Sequence, residues 1–295
     1  MSERLYPTSP LGIRTPLKAL AVSFGVETDF AGLTVEQRLQ AFAGLGALVR
    51  THKVVVIRNA ALDRAQFQRA AELLGQPLRY PFSQGVEGFP ALIEIRRQPQ
   101  QQTAMSTLWH SDSTYLAEPP DFTLLYGADI PPIGGNTVFA DTVAAMQQLS
   151  PALQAQLRQL RVVQRSDVHA GNERQAHLSM PDTPPAALSA THPAVVSSDG
   201  VEAIYVSEEH TSHFDGMTRA ESLPMIEFLS RHVAADRFRL QVNWSADTLV
   251  VHDNRKTIHR AVDNYYGMAR TLWRIIVAAP AERVEGTAAQ ELVAA

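Results

Sequence analysis

The sequence predicts an α+β fold in which many short strands build a sandwich or barrel and a few helices flank it. Three observations carry this expectation: a helix–strand–helix opening, a long series of short strand-like runs separated by turn residues, and no repeat or linker dividing the chain. Residues 1–20, with Pro7, Pro10 and Pro16, read as an irregular N-terminal arm or edge strand. Thr34, followed by Glu36, offers an N-cap with an early acid. Leu39, Phe42, Leu45 and Leu48 then continue an apolar stripe at helical spacing. The β-branched run at 54–57 reads as a buried strand. A second helix starts at an Asp63 cap, runs through Leu74 and closes at Gly75. Residues 79–102 are loop-rich, with one strand at 91–95 and a Gln-rich tract at 98–102. Further strands are expected at 108–115, 122–128, 135–140, 203–206, 249–252, 257–261 and 271–278, interrupted by helices near 142–160 and 219–234. Residues 170–189 are polar and Pro-rich and read as a loop or lid, and 281–295 as a patternless tail. The whole of 1–295 is expected to be one domain.

Composition narrows the chemistry. The net charge of -4, without clusters of Lys and Arg, gives no reason to expect nucleic acid or an anionic membrane as partner. No apolar run is long enough to span a bilayer, and the N-terminus lacks a basic-then-apolar signal pattern, so a cytoplasmic enzyme is the expectation. A homo-oligomer, dimer or tetramer, is expected. There are no cysteines. Thiolate metal sites, iron–sulfur clusters, disulfides and a cysteine nucleophile are thereby excluded. A metal would have to be held by His, Asp, Glu or backbone oxygen.

One segment offers such ligands. His110-Ser111-Asp112 is a His-x-Asp, and on a strand residues two apart share a face. His259, after the turn-forming 253–256, could return a third ligand from a neighbouring strand. Two imidazoles and a carboxylate on one face of an ion form the usual site of non-haem Fe(II) oxygenases. A lone His-x-Asp is more often a strand-end His hydrogen-bonded to an acid, so its surroundings decide.

Those surroundings resemble a known family. The runs 109–120 (WHSDSTYLAEPP), 134–141 (GGNTVFAD) and 252–261 (HDNRKTIHRA), followed by Arg270 and Arg274, resemble the taurine dioxygenase (TauD/TfdA) family in both order and spacing. Thr191-His192-Pro193 and Ala203 to Val206 resemble its middle region, so the similarity extends over about 54–279. The resemblance implies a double-stranded β-helix (jelly-roll) core with flanking helices. It also implies Fe(II), 2-oxoglutarate and O2 as cofactor and cosubstrates. By the family pattern His110, Asp112 and His259 ligate iron, Thr137 and Arg270 hold the far carboxylate of 2-oxoglutarate, and Arg274 meets a small anionic substrate, carboxylate or sulfonate. The product would be a hydroxylated substrate, with carbon–heteroatom cleavage where a heteroatom sits on the same carbon. The family often carries an aromatic residue where this chain has His252. A packing role facing the shell is expected for it, rather than that of a fourth imidazole near iron.

The arginines also speak for themselves. On a strand Arg270, Leu272 and Arg274 share a face, and four residues span about 13 Å. Two guanidiniums turned inward call for two anions, which Arg binds bidentately; two surface arginines on an edge strand are the alternative. The apolar Ile275 to Val277 that follow favour the inward reading. Tyr80, Ser106, Ser113 and Tyr115 flank the metal segment and are expected to line the substrate pocket. His210 and His213 lie in a polar stretch and read as a solvated loop. Leu149, Leu153, Leu157 and Leu160 read as core, and Asp141 as the start of a helix. Two rival functions remain: a zinc hydrolase on the same ligands, which lacks a His-Glu-x-x-His helix, and a non-catalytic sensor of a small anion.

Overall fold

A computed structural model describes residues 11–12, 15–169, 177–181 and 186–279. Much of the expected 170–189 loop and all of the 281–295 tail lie outside the described residues. Thr34 caps α1 (Val35–Phe42) through a capping box with Gln37. The stripe that predicts one helix breaks at Ala43–Gly44 and resumes as α2 (Leu45–His52). Glycine is a poor helix interior residue, and the restart still turns Phe42, Leu45 and Leu48 into one core. Asp63 caps α3 (Arg64–Leu74) in a second capping box, with Gln66, and Gly75 follows it as the sequence predicts.

The largest sheet joins β1 (Lys18–Ala19), β2 (Val26–Asp29), β3 (Val54–Arg58), β14 (Leu249–Asp253), β6 (Phe122–Asp129), β16 (Arg270–Ala278) and β4 (Gln76–Leu78) in that order, with β5 (Ile93–Arg97) also pairing β16. Its two faces are both buried. Val55 and Ile57 of β3 turn toward α1, α2 and α3, while Val54 and Val56 turn the other way, onto Phe139, Leu240 and Val242. That explains why the strand reads as an unbroken apolar run. Phe139, Leu240 and Val242 belong to a second sheet, β13 (Arg239–Val242), β7 (Thr137–Asp141) and β15 (Thr257–Ala261), so the two sheets face one another across this shared core.

A third sheet, β12 (Thr211–Phe214), β8 (Arg161–Arg165) and β9 (Ser189–Pro193), and the hairpin β10 (Val195–Ser198) with β11 (Val201–Ile204) complete the strands. The helix expected over 142–160 is two, α4 (Thr142–Gln147) and α5 (Pro151–Gln159), because Ser150-Pro151 caps and restarts the chain. Leu149 and Leu157 are buried there, with Leu153 and Leu160 partly so. Asp141 caps α4, as expected, and its other oxygen meets Lys53 Nζ at 2.6 Å. Thr218 and Glu221 cap α6 (Arg219–Val233).

One prediction fails in a way that matters. Residues 108–115 are not a strand. Only His110 bridges to a neighbour, His259, after which the chain turns, with Ser113 at φ 54. His110 and Asp112 are therefore not brought together by strand alternation.

Candidate metal centre

Main-chain pairing sets the first two ligands. His110 N–H donates to His259 O at 3.0 Å and His259 N–H to His110 O at 2.8 Å, which places the two rings 4.2 Å apart. Asp112 arrives by a different device. Its N–H donates to Asn254 Oδ1 at 2.7 Å, and Asn254 Nδ2 donates back to Asp112 O at 2.9 Å and to Pro120 O at 3.0 Å. Asn254 sits in the turn between β14 and β15, so one buried amide ties the turn after His110 to the turn before His259. Sequence reasoning missed this residue, although an Asp-Asn pair between two strands is a turn signal.

His110, Asp112 and His259 are buried, and one ligand atom from each lies within 4.8 Å of the others. Metal–ligand bonds of about 2.1 Å put neighbouring ligands about 3 Å apart, so these side chains need only close around an ion. Their protonation fits as well. Burial pushes the Asp112 carboxyl up, but the Arg274 guanidinium and the surrounding histidines outweigh that and hold it well below the usual carboxylate range. Burial lowers the pKa of His259, so its imidazole is neutral and has a lone pair to give. The donor set, two nitrogens and one oxygen with no sulfur, suits iron(II).

Two buried arginines flank this centre. Arg270 is 6% exposed, and its Nε and Nη2 have no hydrogen-bond partner among the described residues. Burial depresses its pKa, and Tyr265 only partly offsets this. It lines one chamber with Ser106, Thr137, His110 and His259. Trp244 Nε1–H donates to Thr137 Oγ1 at 3.0 Å, occupying a lone pair and turning the hydroxyl proton to another acceptor. Gly135, at φ +64, makes room, because a Cβ there would stand 3.2 Å from Arg270 Cδ.

Arg274 projects from the same face of β16 and is also buried. Its Nη1 donates to Asp112 Oδ1 at 2.9 Å, its Nη2 has no partner among the described residues, and its guanidinium lies 4.5 Å from the Tyr80 ring centroid. Tyr80, Ser106, Ser113, Tyr115 and Arg274 all line a second chamber, next to His110 and Asp112. Tyr115 Oη–H donates to Tyr80 Oη at 3.2 Å. Both arginines thus turn inward, and the edge-strand alternative is overturned.

Two expectations need correction. His252 does pack against Phe139, but it does not face the shell. Its ring lies 4.7 Å from that of His259, and its Nε2 stands 3.8 Å from Asp112 Oδ2. Burial lowers its pKa to about 4. It shares with Val250 the face of β14 that the second sheet covers, and it is fully buried. The stretch 207–213 is not a solvated loop either. Glu209 and His210 are buried and line the second chamber, while His213 is half-buried on Ser212.

Known proteins are similar to this chain. The profile of the taurine catabolism dioxygenase TauD, TfdA family matches residues 14–276. The chain is 29% identical over 293 residues to an alpha-ketoglutarate-dependent sulfate ester dioxygenase of Pseudomonas putida, with 94% of each chain covered. It is 28% identical over 231 residues to an alpha-ketoglutarate-dependent 2,4-dichlorophenoxyacetate dioxygenase of Burkholderia sp. (strain RASC), covering 70% of this chain and 75% of that one. A solved taurine dioxygenase from Burkholderia xenovorans superposes with a TM-score of 0.73 at 27% identity, covering 90% of both chains.

Proposed function

The chain belongs to the taurine catabolism dioxygenase TauD, TfdA family, and on that premise we propose how its residues divide the reaction. It is an alpha-ketoglutarate-dependent dioxygenase that uses iron(II), 2-oxoglutarate and O2 and acts on a small anionic substrate. We infer that the two facing sheets form a double-stranded β-helix and that 1–295 is a single domain, working in the cytoplasm, where 2-oxoglutarate is available.

His110, Asp112 and His259 would hold the iron. When bound, the metal and 2-oxoglutarate supply the oxidising power, with release of succinate and CO2. Everything else is done by the surrounding side chains. Arg270 takes the far carboxylate of the cosubstrate through Nε and Nη2, which no described residue meets, and Thr137 adds its hydroxyl proton, aimed by Trp244. Arg274 and the Tyr80–Tyr115 pair take the substrate's anionic group beside Asp112. Ser106 lines both chambers and so stands between the two ligands. Phe82, Leu178 and Ile276 pack around the tyrosines and keep water from this end. By analogy with the relatives, the substrate is a sulfate ester, a sulfonate or an aryloxy carboxylate. Its hydroxylation is followed by carbon–heteroatom cleavage where the attacked carbon bears oxygen or sulfur.

The observation that carries this reading is Arg270: a buried guanidinium with unmet donors across a chamber from a facial set of metal ligands. The test is to add Fe(II) and 2-oxoglutarate without oxygen and look for a weak visible charge-transfer band, then to aerate with a panel of small sulfonates, sulfate esters and carboxylates. A band, followed by succinate whose yield rises with one class of anion, is expected. A colourless mixture and no succinate would exclude the dioxygenase reading.

A further inference from the structure

A carboxylate stands on the side of His110 that faces away from the triad. Nε2 of His110 is turned toward Asp112, 4.0 Å from Oδ1, while Nδ1 lies 2.9 Å from Leu108 O and 3.1 Å from Glu209 Oε2. With acceptors on that side, the ring carries its proton on Nδ1 and leaves Nε2 bare toward the metal position. Leu108 O alone would fix that tautomer. Glu209 adds a negative charge, and it is only 7% exposed.

Glu209 is also held in place. Its N–H donates to Trp109 O at 3.1 Å, next to His110 in the chain. The turn that carries it is closed by Thr211 N–H to Ser207 O at 3.2 Å and tied to β8 by Arg165 N–H to His210 O at 2.8 Å. A carboxylate fixed by backbone bonds needs little reordering when an ion arrives. Nδ1–H is donated to Leu108 O, and the Glu209 carboxylate 3.1 Å from Nδ1 favours positive charge on the ring, which strengthens Nε2 as a ligand.

We propose that Glu209 is a positioning residue for the metal, raising the donor strength of His110 from behind. This rests on the reading that a metal sits at the triad. It does not make Glu209 a ligand, because the carboxylate approaches the nitrogen opposite to the coordinating one.

The test is Mn(II) binding to the metal-free full-length protein in the presence of 2-oxoglutarate, followed by loss of the free-ion EPR signal. Glu209→Gln keeps the shape and removes the charge. Its Mn(II) affinity should fall about tenfold, within the 10- to 100-fold range of such outer partners. Its KM for 2-oxoglutarate at saturating Fe(II) should stay within about twofold, and the unfolding temperature of the metal-free protein should not drop. Glu209→Asp keeps the charge on a shorter arm and should bind Mn(II) closer to the parent than Glu209→Gln does. Parental affinity in Glu209→Gln would overturn the proposal. So would an aspartate variant as weak as the glutamine one, or unchanged metal affinity with a raised substrate KM. If the parent protein itself binds no Mn(II), the metal reading falls with it, and that failure is distinguishable from the others.

Discussion

Arg97 and Arg270 are partners across neighbouring strands, and the fold treats them in opposite ways. Both are buried, and both lie over the Tyr265 ring, at 4.3 and 5.7 Å. Arg97 is answered within the chain: Nη1 meets Asp263 at 2.6 Å, and Nη2 donates to Gln101 O and Gln102 O at 3.2 and 3.4 Å. Among the described residues the Nε of both arginines lacks a partner, but Arg270 lacks one at Nη2 as well. A buried guanidinium without acceptors is unstable unless a ligand supplies them. The pair therefore separates scaffold from proposed site: one arginine fastens the Gln-rich loop, and the other is the one proposed to take an anion.

The sharpest way to break this comparison is to remove each charge. Arg270→Met should raise the KM for 2-oxoglutarate about 100-fold, since charged hydrogen bonds contribute about 1.5–3 kcal/mol and each 1.4 kcal/mol is tenfold. The unfolding temperature of the cosubstrate-free protein should hold or rise, because a desolvated charge has gone. Asp263→Ala should do the reverse. It leaves Arg97 buried and unpaired, and the protein should lose about 2 kcal/mol in urea unfolding, below the usual 3–5 because Asp263 is partly solvated. Its KM for 2-oxoglutarate should barely change. If the two variants lose stability equally, the distinction between scaffold and site is wrong.

A smaller effect tests the hydroxyl beside Arg270. Thr137→Val should raise the same KM about tenfold, the value of one hydrogen bond to a charged group. Trp244→Phe, which frees the Thr137 hydroxyl to turn, should raise it about threefold. If Trp244→Phe exceeds Thr137→Val, the indole acts on the chamber by packing and not through the hydroxyl.

How much of this was legible in the sequence follows from how local each signal is. The Asp63–Gly75 helix was readable because its cap and its stop lie in the same short segment. The inward face of β16 was readable because alternation alone places Arg270, Leu272 and Arg274 together, and their burial confirms it. The His110–His259 pair could be named from residue type, but the expectation that a strand brings Asp112 alongside was wrong. That placement depends on Asn254, a hydrogen bond across 142 residues of sequence. Trp244, Glu209 and the true orientation of His252 were illegible for the same reason. Each acquires its role from a strand or turn that pairs far away, and none carries a local pattern. The short strands β1, β4 and β10 escaped because two to four residues hold no measurable period.

Behind the metal centre a second group of charges repeats the lesson of Arg97 at lower stakes. Lys256, in the turn after Asn254, is 2% exposed, pairs closely with Asp199 and stands 3.3 Å from Asp253 Oδ2. Arg50 adds a contact to Asp199 at 3.3 Å. Burial raises the Asp199 pKa, but Lys256 and then Arg50 outweigh it, so the carboxyl titrates below its usual 3.8. The unfolded chain therefore takes up this proton first. The stability that Asp199 contributes is fully present above about pH 4 and is lost as pH falls through the depressed folded value. In the metal-free protein, the urea midpoint should fall less steeply below pH 4 in Asp199→Asn than in the parent. At pH 7 the variant should be weaker by no more than about 1 kcal/mol, because Asp199 is partly solvated and water screens the pair. Parallel midpoint curves would mean that Lys256 is compensated by Asp253 alone. The Asn254 turn, and with it the placement of Asp112, would then owe nothing to the 199 side chain.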